Sequence, residues 1–182
     1  MKKYLFVFFA IFTVFVFGFS AFGQKKANEK NNEKPLAPTF KANTLDGKIV
    51  NTAELRGKII VLNLWFINCP NCIQEIKLLN KMVDEFSGKD VVFLGLAPNS
   101  KMDLQKFIQK NPFKYQIIPN VGQFMVANFG ELKNGVYNLG FPTHVVIDRE
   151  GQIVLKMEGI KGVEAVRNEL KKQFETKENK SK

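Results

Sequence analysis

The sequence predicts an α/β domain, a central mixed β-sheet with helices on both faces and a short hairpin ahead of it. Three observations predict this. Short apolar runs rich in β-branched residues, such as Ile59–Ile67 and Val91–Ala97, alternate with longer stretches of helical periodicity. The chain then closes with two apolar runs joined by the tight turn Arg149-Glu150-Gly151 and one more helical stretch, which makes the sheet mixed. A single Cys-x-x-Cys pair stands where the first buried run meets the first helix. At 182 residues the chain has room for one domain with a full core.

Met1-Lys2-Lys3 is a short positive region, Tyr4 to Phe19 is almost wholly apolar, and Ala21-Phe22-Gly23 offers a small-x-small cleavage site. Residues 1–23 are therefore read as a signal peptide or an N-terminal membrane anchor, since about 20 apolar residues can also span a bilayer. Either reading exports the domain. Residues 24–38 are Lys-, Asn- and Glu-rich, close on two prolines, and read as a flexible linker. Order is expected from Thr39, and the domain is expected to span 39–175 with a charged tail over 176–182.

Phe40 to Val50, with Asp46-Gly47 between its arms, carries a hairpin signal. One helical turn over Thr52–Leu55 leads to the central strand. The helix after the cysteines is expected over about Pro70–Phe86, with Ile73, Ile76, Leu79, Asn80 and Val83 near one face. Ser100 is placed to cap a helix striped by Met102, Leu104, Phe107 and Ile108, which Asn111-Pro112 stops. Tyr115–Ile118 reads as a short strand, Val121–Leu132 as a helix and Lys133-Asn134-Gly135 as a loop. Gly140-Phe141-Pro142-Thr143 leads into the strand His144–Asp148, Gln152–Met157 returns antiparallel, and the last helix covers about Val163–Phe174.

The chemistry concentrates at Cys69-Pro70-Asn71-Cys72. Pro70 suits the first turn of a helix, where its missing N–H loses nothing. Cys69 then sits at the helix N-terminus, where free backbone N–H groups and the helix dipole favour a negative charge. A thiolate stabilised in this way is the nucleophile of disulfide exchange. Cys72 lies one turn on, close enough to close a disulfide. A zinc site would need two further ligands, and the chain has one histidine, His144, and no third cysteine. No metal or other cofactor is expected.

The formal charge is +10. Much of the excess lies near the two ends, interleaved with Glu and Asn and poor in aromatics, which argues against nucleic-acid binding and for solvated tails.

Five pieces in this order carry a family resemblance: Thr44-Leu45-Asp46-Gly47-Lys48, Leu55-Arg56-Gly57-Lys58, Val61-Leu62-Asn63-Leu64-Trp65, the Cys-Pro-Asn-Cys motif, and Phe141-Pro142-Thr143. Over about Thr39–Phe174 the chain resembles the TlpA/ResA branch of the thioredoxin-fold superfamily, the exported thiol–disulfide oxidoreductases of bacterial envelopes. The resemblance implies a thioredoxin-like three-layer fold and places a cis Phe141–Pro142 peptide opposite the dithiol. The backbone around Phe141, Pro142 and Thr143 would be free to pair with an extended substrate. It also implies a role for Glu75, one turn after Cys72, in exchanging the proton of the resolving thiol. The other reading of Glu75 is a solvent-facing glutamate favoured by the helix dipole.

The resemblance further implies reduction of disulfides of exported proteins such as apocytochromes c, with electrons from a membrane thiol–disulfide carrier, and a monomer is expected. Two positions depart from the family. Asn68 precedes Cys69 where Trp is common, and Lys77 stands where a helix-kinking proline is common. Trp65 is expected in the core beneath the site and His144 as a packed or edge strand residue. The alternatives are a peroxiredoxin-like thiol peroxidase and a copper-binding chaperone using both thiolates and His144.

Overall fold

The computed structural model describes residues 34–180, so the expected signal segment or anchor, the first part of the linker and the last two residues lie outside the described residues. Among the described residues nine strands form three sheets. A hairpin of β1 (Lys41–Asn43) and β2 (Ile49–Asn51) comes first. In its turn the Thr44 hydroxyl and the Lys48 ammonium hold Asp46 down to about 2. The hairpin tip docks on the central sheet through Leu45 N–H to Ile117 O at 2.7 Å.

The central sheet contains β3 (Ile59–Leu64), β4 (Val91–Leu96), β5 (Gln116–Ile118), β8 (Thr143–Ile147) and β9 (Ile153–Glu158) in the order β5-β4-β3-β8-β9. The pairs β3/β4 and β4/β5 are parallel, while β3/β8 and β8/β9 are antiparallel, so the sheet is mixed as expected. Strands β3 and β8 are buried along their whole length. That explains why their sequences run apolar instead of alternating.

Alternate residues of β3 serve two cores. Ile60, Leu62 and Leu64 face one side with Met125 and Phe129 of a helix, α3 (Gly122–Phe129). Ile59 and Val61 face the other, against Leu79 and Met82 of α1 (Pro70–Glu85) and Val163, Val166 and Leu170 of α4 (Gly162–Lys180). Each of these fully buried aliphatic chains is worth about 1.5–3 kcal/mol of transfer free energy. A third cluster, at the C-terminal ends of β3–β5, joins Trp65 and both cysteines to Leu104 of α2 (Lys101–Ile108).

Several boundaries differ from expectation. Pairing starts before Thr39: Pro35 O accepts Ile153 N–H at 2.8 Å and Ala37 N–H reaches Gly151 O at 2.9 Å, so the end of the expected linker lies along the β9 edge. The helix expected through Leu132 ends at Phe129. A small hairpin follows instead, β6 (Glu131–Lys133) and β7 (Val136–Asn138), turning at Asn134 and Gly135 with φ of 53° and 79°. Asn-Gly is the sequence signal for that turn type. The last helix continues to Lys180 through residues assigned to the tail, because nothing in its Lys/Glu-rich sequence breaks it.

On α1 the buried residues are Cys72, Glu75, Ile76, Leu79 and Met82, while Ile73 is exposed. The buried stripe is therefore rotated from the expected one and takes in a glutamate. On α2 only Leu104 is fully buried, and Met102 faces solvent.

Candidate active site

The site is built at the end of β3. Trp65 N–H still bonds to Leu96 O, and the loop beyond it is held by Ile67 N–H to the Asn99 side-chain oxygen at 3.1 Å. Asn99 follows β4. Cys69 is the N-cap of α1 in extended conformation, Pro70 fills the first helical position, and the Cys69 sulfur accepts Cys72 N–H at 3.2 Å. The two sulfurs are joined as a disulfide, with the Cα atoms 5.2 Å apart. Both cysteines are buried, while Asn68, Pro70 and Asn71 beside them are exposed, so the surface offers the rim of the disulfide.

Beneath the disulfide Trp65 is buried among aromatic rings, 5.4 Å from Phe107 and 4.8 Å from Phe113 between centroids. Phe66, on the loop leading to Cys69, meets Phe141 edge-on at 5.1 Å. This contact ties the dithiol loop to the segment before β8. There the Phe141–Pro142 peptide is cis. Pro142 and Thr143 are buried. The Thr143 hydroxyl donates to Gly140 O at 2.6 Å and Pro142 O accepts Gly159 N–H at 2.7 Å. The Thr143 side chain thus braces the loop, and Phe141 is the half-buried residue of the three.

A polar cluster lies on the α1/α4 face of the sheet. Glu75 and His144 are both fully buried, with Glu75 Oε1 and His144 Nε2 3.1 Å apart. Asn63 Nδ2 donates to the same Oε1 at 2.9 Å, and Asn63 Oδ1 accepts the Tyr115 hydroxyl at 3.3 Å. Burial, and then the nearby Glu75 carboxylate, push the Tyr115 phenol well above its ordinary 10.0. The reading of Glu75 as a solvent-facing glutamate is thereby corrected. His144 is packed as expected, but on an inner strand and against a carboxylate.

This arrangement follows from register. Asn63 and His144 are direct cross-strand partners, and Asn63 pairs on its other side with Gly95, which pairs with Ile117. At Gly95 a Cβ would fall 2.5 Å from the Ile117 side chain and 3.1 Å from both Trp65 Nε1 and the Tyr115 ring. The bare glycine lets those rings close over the row. Sequence reasoning did not single out Asn63 or Tyr115 for the site. A polar residue in an otherwise apolar strand is the signal for Asn63.

Among the described residues no group of three His, Cys, Asp or Glu side chains is placed to hold a metal ion. The one histidine turns Nε2 to Glu75, and its Nδ1 lies so near Gly162 that a Cβ there would be 2.2 Å away. It does not face the sulfurs as a third copper ligand would.

The chain is 28% identical over 138 residues, 75% of each chain, to the thiol-disulfide oxidoreductase ResA of Bacillus thuringiensis (strain Al Hakam). It superposes on the DsbF structure from MTB, solved in mixed oxidised and reduced forms, with a TM-score of 0.61 at 25% identity over 75% of this chain and 98% of that one. The exposed lipoprotein thioredoxin of Streptococcus pneumoniae shares the fold, with a TM-score of 0.63 at 22% identity over 74% and 99% of the two chains. Fold, disulfide and relatives define an enzyme of thiol–disulfide exchange with a thioredoxin-like fold. Within that class the chain belongs to the AhpC/TSA family, whose model matches residues 35–156.

Proposed function

We propose that this enzyme acts in the bacterial cell envelope, on the outer side of the membrane, where it reduces disulfides of other exported proteins. The observation that carries the reading is the Cys69–Cys72 disulfide at the start of α1, with cis Pro142 on the neighbouring segment and a buried carboxylate one turn below. The basic and apolar first 23 residues support export.

In the reducing direction the Cys69 thiolate attacks a substrate disulfide, forms a mixed disulfide and expels one substrate thiolate. Cys72 loses its proton to Glu75 and attacks the Cys69 sulfur. The second substrate thiolate leaves, and Cys69–Cys72 closes as a disulfide, having given two electrons to the substrate disulfide. An extended substrate strand would pair with backbone near Phe141–Thr143. Oxidised apocytochromes c are candidate substrates, a membrane thiol–disulfide carrier would return the electrons, and the protein would act as a monomer.

The deciding experiment is the equilibrium potential of the Cys69–Cys72 pair, read by alkylation after poising in glutathione or dithiothreitol buffers. A value at or below about −250 mV is expected for a reductase, and one near about −120 mV would mark an oxidant instead. Cys72→Ser in the native envelope should capture substrates as mixed disulfides, and an empty trap would count against a protein substrate.

A further inference from the structure

The Glu75–His144 contact joins the two elements that frame the disulfide. Glu75 stands one turn after Cys72 on α1, and His144 stands two residues after Pro142 on β8. Neither side chain reaches solvent. Burying an ionised carboxylate costs several kcal/mol unless charge or hydrogen bonds offset it. The titratable groups around the pair are few. Cys72 shares α1, and the Tyr115 hydroxyl is connected through Asn63. From α4 the ring meets Gly162, and from β9 His144 pairs with Met157. Among the described residues no Lys or Arg forms a hydrogen bond or ion pair with Glu75, His144 or Asn63. The imidazole is therefore the one group of the cluster able to carry a compensating positive charge.

The hydrogen bonds are asymmetric. Oε1 is held by both Asn63 and His144, whereas Oε2 is buried with no partner. With Glu75 ionised, the hydrogen of the 3.1 Å contact lies on Nε2, so the imidazole donates. One oxygen is clamped and the other is left as the atom able to take a proton.

We propose that His144 is a positioning residue for proton exchange at the dithiol: it clamps Oε1 of Glu75, stabilises the ionised carboxylate, and thereby makes the buried pair responsive to the redox state of Cys69 and Cys72. This rests on the disulfide-exchange reading and deepens it. In the resolving step the Cys72 proton passes to Oε2 of Glu75, the Cys72 thiolate forms the new S–S bond with Cys69, and the departing thiolate carries away the electron pair. The proton then leaves for solvent, and the His144 clamp is restored.

The test uses the reduced protein and the chromogenic disulfide of thionitrobenzoate. Two equivalents of thionitrobenzoate should appear in two phases, Cys69 attack and Cys72 resolution. In His144→Leu the second phase should slow about tenfold at neutral pH and its rise move to higher pH, because the carboxylate has lost the donor that holds Oε1. The first phase should change less than about twofold, and His144→Gln, which keeps an amide donor, should hold the second phase within about threefold.

A second readout needs no variant. His144 is the single histidine, so its imidazole NMR signals are unambiguous, and they should differ between oxidised and reduced protein from about pH 5 to about 9. A folded His144→Leu with an unshifted second phase overturns the proposal, as do identical imidazole signals in both redox states. If the parent protein fails to release two equivalents, disulfide exchange itself fails and the proposal falls with it.

Discussion

The sulfur of Cys69 accepts the backbone N–H of Cys72 at 3.2 Å, so the first cysteine caps its own helix. A side-chain cap satisfies one of the free donors of the first turn, and sulfur does so better when charged. Reduction leaves that N–H aimed at the thiolate. Iodoacetamide should therefore modify Cys69 in reduced protein, near pH 6.5, about tenfold faster than a thiol in an unstructured peptide. Equal rates would show that the cap does not activate the sulfur.

Asn63 donates to a carboxylate oxygen that is already buried, and Asn63→Asp would set a second carboxylate against it. With no Lys or Arg among the described residues paired to the cluster and one imidazole already engaged by Glu75, the variant should lose about 2–4 kcal/mol near pH 7. The introduced aspartate is more easily protonated when folded than when unfolded, so the deficit should shrink as pH falls toward about 4. Urea midpoints at both pH values check this, and a deficit that stays constant with pH would exclude the charge explanation.

Tyr115 titrates well above 10.0 in the folded protein because its phenol is withdrawn from water and lies near the Glu75 carboxylate. A group that binds its proton more tightly when folded contributes fully below the unfolded value and loses that contribution as pH climbs through the folded one. Alkaline destabilisation should therefore begin near the ordinary tyrosine value, and Tyr115→Phe should remove part of that slope. Denaturant midpoints of both proteins through the alkaline range would reveal it. Parallel curves would mean that Tyr115 is not a source of the slope.

Gly95 leaves the space that Trp65 and Tyr115 occupy. A methyl at Gly95 meets Ile117 at 2.5 Å and two rings at 3.1 Å. Gly95→Ala should cost about 1–3 kcal/mol, since overpacking forces neighbours off their rotamers. Near-ultraviolet circular dichroism of the single tryptophan should change with it. A variant as stable as the parent would mean that the row across the sheet tolerates more volume than its geometry suggests.

The parts legible in the sequence are those set by neighbours in the chain. The β3 and β4 runs, the helix start at Cys69-Pro70, the Ser100 cap and the turn at Arg149-Glu150-Gly151 all depend on residues within a few positions. The α1 stripe shows where such reasoning stops. Hydrophobic periodicity favours Ile73 over Glu75 as a core residue, yet the helix is rotated so that Glu75 is buried and Ile73 is exposed. A pattern of apolar residues cannot report a buried polar one whose partners lie elsewhere.

By itself, then, the sequence determined the mixed α/β architecture and the helix-capping dithiol, because propensity, capping and periodicity act over short separations. Only the tertiary structure decided what lies beneath the dithiol. Asn63, Glu75 and His144 are separated by 12 to 81 positions, and they meet because β8 pairs with β3 in a register that sets His144 opposite Asn63. Side chains alternate along a strand, so a slip of one residue would carry His144 to the opposite face and leave Glu75 without its partner.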